Sequence, residues 1–229
     1  KALGEVAVDG RWQLTFAPGS YPQIADTYPL EQLSPWENLD SNTAKLMGTG
    51  IYTTTFTITR EQAQQATGGW RLDLGDVRES ARVTLNGHEL GCVWSAPFVL
   101  DCGAAVREGD NTLVVEVTNL PANRIRQMDI DGTPWRIFKD VNILAIKDGN
   151  IGVSGVTSYA DWQKMPSGLN SAVKLIPMYS LGQMLKTSLK AFAASGSEAG
   201  IYYPEYLLTA AGETITAVAA ADVSGKAFD

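Results

Sequence analysis

The sequence predicts an all-β chain whose body is an antiparallel β-sandwich, followed by a C-terminal appendage of uncertain structure. Three observations carry this. Between residues 71 and 119 apolar and polar residues alternate, at Leu72/Leu74, at Ala81/Val83/Leu85 and again at Leu113/Val115/Val117. Asn86-Gly87 lies inside that stretch, and both residue types tolerate positive φ, which matches the twist of two hairpin strands. Ile51 to Ile58 is dense in β-branched and aromatic residues.

In chain order, Trp12, Leu14 and Phe16 alternate on one face of an opening strand, so Trp12 belongs to the core. Residues 17–45 are rich in Pro, Ser, Asn and Asp and read as a long surface connection broken by Leu33, Trp36 and Leu39. After the strand at 51–58, residues 60–67 have high helix propensity, and Gly68-Gly69 stops them. The central stretch supplies Val83, Leu85, Phe98, Leu113, Val115 and Val117 to the core. One sandwich domain is thus expected over residues 1–178. Residues 179–229 are extra strands, a helix or the start of a neighbouring domain: Leu185 and Leu189 fit either period, whereas Ile201 to Tyr203 and Thr214 to Val218 are strand-like.

With 45% hydrophobic and 19% charged residues there is material for one large core. The net charge of -7 argues against a nucleic-acid partner, because phosphate binding needs clustered Lys and Arg. No apolar run is long enough to span a bilayer. The first residues, KALGEVAVDG, contain neither an initiator Met nor a signal-peptide core, as expected of a processed chain or one cut from something larger. Cys92 and Cys102 leave a disulfide and buried free thiols both open.

Several pieces occur together in order. They are Gly75-Asp76-Val77, Ala81-Arg82-Val83, Asn86-Gly87, Gly91, Pro97-Phe98 and Gly109-Asp110-Asn111-Thr112-Leu113. This series resembles the sugar-binding, galactose-binding-like jelly-roll domain that accompanies glycoside hydrolases of family 2. The segment Val117 to Arg124, the pattern Trp36 … Gly48-Thr49-Gly50-Ile51-Tyr52 … Phe56 and the ending Pro166-Ser167-Gly168-Leu169 … Leu175 are similar to the C-terminal sandwich of family 106 α-L-rhamnosidases. Gly48 stands where that family usually has Ser, and Met128 to Ile143, which resembles the family 2 segment of an acidic loop followed by a closing strand, is shortened around Trp135. The resemblance implies a jelly-roll sandwich from a secreted or periplasmic glycoside hydrolase. Its partners would be carbohydrate and the catalytic domain of the same parent chain. It also implies that the loop bearing Arg78 and Glu79, and the one bearing Asp129 and Asp131, lie where such loops reach a neighbouring active site.

The residues themselves suggest little catalysis. His88 is the only histidine and directly follows a turn, so neither a Ser-His-Asp triad nor a histidine-bearing metal site is expected. No catalytic residue and no cofactor is assigned; a structural calcium stays open, with no compact Asp/Asn/Gly loop to place it. Sugar recognition combines an aromatic platform with amide or charged groups that fix hydroxyls. Trp94, Trp135, Asn119, Asn123 and Arg124 are of those types and lie at strand ends or in loops. The plainer alternatives are core packing for the tryptophans, backbone ties for Asn119 and Arg124, and an ion pair between Arg78 and Glu79.

Three functions follow in order of preference. The first is a non-catalytic accessory sandwich of a glycoside hydrolase acting on plant-type or other complex glycans. The second is a free-standing carbohydrate-binding protein. The third is a glycoside hydrolase whose own two carboxylates, from Asp76, Glu79, Asp129, Asp131 or Asp161, meet in a cleft.

Overall fold

The computed structural model describes residues 4–135, 158–180 and 182, and the backbone of residues 208–210 and 213–215. Its strands are β1 (Val6–Ala7), β2 (Trp12–Phe16), β3 (Tyr28–Leu30), β4 (Thr49–Ile58), β5 (Gly69–Asp73), β6 (Val77–Arg78), β7 (Ser80–Leu85), β8 (His88–Val93), β9 (Val99–Asp101), β10 (Gly109–Thr118), β11 (Gly168–Leu169), β12 (Lys174–Met178), β13 (Leu208–Ala210) and β14 (Glu213–Ile215). Among the described residues two α-helices interrupt them, α1 (Arg60–Gln65) and α2 (Ala122–Ile130).

Six strands form one sheet in the order β3-β2-β4-β10-β7-β8, and four form another in the order β1-β12-β5-β9. Every pairing within them is antiparallel. The expected all-β sandwich is therefore found. At its N-terminal end Val6 pairs with Leu175, which joins β1 to β12.

Alternation explains the core. Val83 and Leu85 on β7 and Leu113, Val115 and Val117 on β10 are wholly buried, as are Leu14, Tyr52 and Ile58 on the same sheet. Leu72 and Leu175 supply buried side chains from the second sheet. Each such side chain contributes ~1.5–3 kcal/mol relative to an exposed one. Trp12 is buried as expected, whereas Phe98 is only half-buried against the core edge.

The turn chemistry also holds. Leu85 pairs with His88, so Asn86 and Gly87 make the two-residue hairpin, with φ values of 52° and 81°. In α1 the Thr59 hydroxyl accepts from Gln62 N at 3.2 Å and Thr59 N donates to Gln62 Oε1 at 2.9 Å, a complete capping box.

Four expectations are corrected. The connection over 17–45 is not merely superficial, because Tyr28–Leu30 adds an edge strand and Trp36 is completely buried. The segment after Asn119 is helical, not a loop. Cys92 and Cys102 are both free, and only Cys102 is buried; Cys92 is exposed on β8. Arg78 pairs with Asp76, not with Glu79.

The closing strand expected near Ile143 and most of the stretch 179–229 lie outside the described residues. Within that stretch, part of the strand-like segment at 214–218 is found, since β14 pairs with β13.

Candidate functional site at one end of the sandwich

The register of the six-stranded sheet brings most of the candidate residues together. Phe16 pairs with Gly50, Gly50 with Val117, Val117 with Ala81 and Ala81 with Val93, a single row across five strands. Immediately beyond that row lie Gly48, Asn119, Glu79 and Trp94. Neighbouring strands are ~4.8 Å apart, so Glu79 and Trp94 lie within ~10 Å of the strand that leads to Asn119. His88 sits at the opposite end of the same sheet, beside Leu85.

Trp94 is 78% exposed, which removes the core-packing alternative for it. Glu79 is half-buried; its backbone N donates to Thr118 O at 2.9 Å. Among the described residues no hydrogen bond or ion pair engages its carboxylate. Arg78 is committed to Asp76, with Nε to Oδ1 at 2.7 Å and Nη2 to Oδ2 at 3.3 Å. Both partners are substantially solvated, so the pair adds at most ~1 kcal/mol.

Asn119 and Asn123 are buried brackets rather than free sugar-contacting amides. Asn119 donates to Leu46 O at 2.8 Å and to Ser167 Oγ at 3.1 Å, and its Oδ1 accepts from Gly48 N at 3.0 Å. Asn123 donates to Glu37 Oε1 and to Met165 O, each at 2.7 Å, and accepts from Met165 N at 2.8 Å. These bonds tie α2 to the segment 165–167 and to the turn at Trp36–Asn38. The same turn, with Lys164 and Pro166, walls an open depression of about 310 Å³ lined also by Pro35.

The helix had readable signals. Pro121 precedes its first residue with φ of -73°, and Gly132, at φ of 64°, follows the C-cap residue Asp131. With no Ser, Thr, Asp or Asn at its N-cap and only nine residues, it carries a weaker signature than α1.

Asp129 and Asp131 sit at the C-terminal end of this helix, not in a free loop. Asp129 accepts from Trp135 Nε1 and, at 2.6 Å, from Tyr159 N. Asp131 is exposed and accepts from Gln127 Nε2 at 2.8 Å. Trp135 is half-buried, with its ring centroid 5.9 Å from Tyr159, which in turn lies 4.2 Å from Trp162. Arg126 Nε donates to Trp162 O at 2.5 Å, which ties α2 to this aromatic group. Tyr159, Trp162 and Glu37 were not anticipated, since nothing local in their sequence marks them.

Arg124 is neither a simple backbone tie nor an isolated charge. Its guanidinium lies 4.2 Å from the centre of the Tyr21 ring, a cation–π contact. Among the described residues no three His, Cys, Asp or Glu side chains converge as a metal would require, and no helix is long and apolar enough to cross a membrane.

No family model matches this chain. A protein of Formosa agariphila named "Putative beta-glucuronidase" is 34% identical over 121 residues, 52% of this chain and 10% of that protein. The rhamnosidase structure from Novosphingobium sp. PP1Y is 29% identical with a TM-score of 0.58, covering 77% of this chain and 15% of the rhamnosidase. A Ruminococcus gnavus β-glucuronidase structure, covering 76% of this chain and 29% of its own, has a TM-score of 0.50 at 18% identity, a likeness of fold alone. The chain thus spans less than a third of each of these proteins. The expected similarity to sandwich domains associated with glycoside hydrolases is present in sequence and in fold.

Proposed function

We propose that this chain is a non-catalytic β-sandwich module of a larger, secreted or periplasmic glycoside hydrolase that acts on complex glycans. In this reading the end of the sandwich carrying Glu79, Trp94 and α2 faces the glycan and the parent's catalytic domain. The observation that carries it is convergence: residues 79, 94 and 119, distant in sequence, emerge from one row of one sheet. The small share of each relative that the chain spans supports a module of something longer.

The chemistry at this end suits contact better than bond cleavage. Asp76, Asp129 and Asp131 are each held by a donor within the domain. Glu79 remains as an acceptor for a sugar hydroxyl, and Trp94 offers an apolar ring face for the C–H face of a pyranose. A shallow, open site of this kind buries little of a small ligand, so binding by the chain alone is weak. No step of this role needs a cofactor.

Two assays test the reading. Aryl glucuronides and aryl rhamnosides are expected to show no turnover with this chain. Glycan titration by calorimetry is expected to give weak binding that Trp94→Ala abolishes. Turnover that disappears on Glu79→Gln or Asp131→Asn would overturn the proposal in favour of an enzyme with its own carboxylates.

A further inference from the structure

A second surface adjoins this end, and neither Glu79 nor Trp94 is part of it. Tyr21 and Met47 face each other across an antiparallel bridge with N–H···O distances of 2.7 and 2.8 Å. Gly48, next in the chain, is bonded twice to Asn119, which brings Leu120 alongside. Tyr21, Met47 and Leu120 are 53%, 38% and 49% exposed, and Arg124 reaches over the Tyr21 ring from α2. The result is an apolar patch with a guanidinium within it.

That guanidinium is under-used. Arg124 Nε is buried without an acceptor, and no carboxylate or carbonyl among the described residues takes its other N–H groups. A planar donor fork held against an aromatic ring is arranged to receive a carboxylate, and the stacking reduces the ordering cost.

We propose that the Tyr21–Met47–Leu120–Arg124 patch is the seat of another domain of the parent polypeptide, which presents an Asp or Glu side chain to Arg124 and apolar side chains to Met47 and Leu120. This rests on the accessory-module reading above. The chain spans only 10% and 15% of its relatives in Formosa and Novosphingobium, so a parent of comparable length would have ample further polypeptide to cover the patch. Exposed Tyr, Met and Arg are the residue types enriched at protein interfaces. A glycan fits less well, because Arg124 occupies a face of the Tyr21 ring, and Met47 and Leu120 offer hydroxyl groups no polar partner. A second copy is disfavoured by the net charge of -7 on each chain.

Hydroxyl-radical footprinting read by mass spectrometry, on this chain alone and on the longer polypeptide from the same reading frame, tests the seat. Labelling of Tyr21 and Met47 is expected to fall several-fold in the longer polypeptide, with His88 at the far end unchanged. Arg124→Glu, and separately Leu120→Asp, should return that labelling to the level of the chain alone. Equal labelling in both proteins overturns the docking surface and leaves the accessory reading standing. A reading frame with no further domain overturns both. Protection already present in the chain alone overturns the proposal too: if it is relieved by dilution the cover is a second copy, and if not, the cover is internal.

Discussion

Trp36 and Tyr52 are completely buried and joined by a 2.6 Å hydrogen bond from the indole Nε1 to the tyrosine hydroxyl. The same hydroxyl accepts Leu169 N at 3.0 Å, so one oxygen links the 17–45 connection, β4 and β11. Gly168 runs against this junction with φ of 97°, and a Cβ there would lie 2.4 Å from both Trp36 Nε1 and Tyr52 Oη. A side chain at 168 therefore meets a clash and a left-handed backbone together.

Tyr52→Phe removes the acceptor and leaves two buried N–H donors without a partner, at ~1–3 kcal/mol for each donor. Urea unfolding is expected to show a lower midpoint with an unchanged slope, and Gly168→Ala at least as large a loss. A Tyr52→Phe midpoint equal to the parent's would mean that the hydroxyl is not the junction described.

Trp12 is 4% exposed and Trp94 is 78% exposed. Trp12→Ala is expected to cost ~3–5 kcal/mol through loss of buried contacts. Trp94→Ala should stay within ~0.5 kcal/mol, as for a surface substitution. Thermal melts of the two variants decide the matter, and equal losses would return Trp94 to the core.

The Tyr28 hydroxyl donates to Asp40 Oδ2 at 2.6 Å. That bond, aided by backbone donors at Thr43 and Asn42 and opposed by burial, holds the Asp40 carboxyl below its usual range. Since the folded value is depressed, the stabilisation is present above the unfolded value of about 3.9 and is lost as pH falls through the folded one. Asp40→Asn should therefore lower the urea midpoint at neutral pH by the equivalent of ~1 kcal/mol or less, and the difference should vanish in acid. Tyr28 behaves oppositely: burial first, then Asp40, pushes it up to about 12. Its contribution holds below the unfolded value of about 10 and is lost as pH rises through the folded value.

Cys102 is 2% exposed, and burial, with Asp101 beside it, pushes its thiol from 9.0 up to about 12. The thiolate is the reacting species, so at pH 8 Cys102 has roughly a thousand-fold less of it than an unshifted thiol. Intact-mass analysis after brief alkylation should show one adduct, on Cys92, in the native protein and two in urea. Two adducts at equal rates without denaturant would contradict the burial of Cys102.

Local sequence determined what depends on neighbours along the chain. Period-two alternation selected the buried faces of β7 and β10, Asn86-Gly87 selected a hairpin, and the Thr59 and Gln62 spacing matched a capped helix. Motif order pointed to a sandwich associated with glycoside hydrolases. Tertiary structure decided what depends on pairing between distant segments. Asn119 and Asn123 have the composition of sugar-contacting amides, and only their burial against Leu46, Ser167, Glu37 and Met165 makes them brackets. Trp36, in a polar stretch that reads as surface, packs inside edge-on to Phe16, and Tyr52 satisfies its indole N–H so that the burial carries no unpaired donor. Arg124 meets Tyr21 across 103 residues of chain, a contact that no periodicity encodes, because it arises where two strand ends and a helix start arrive at one end of the sandwich.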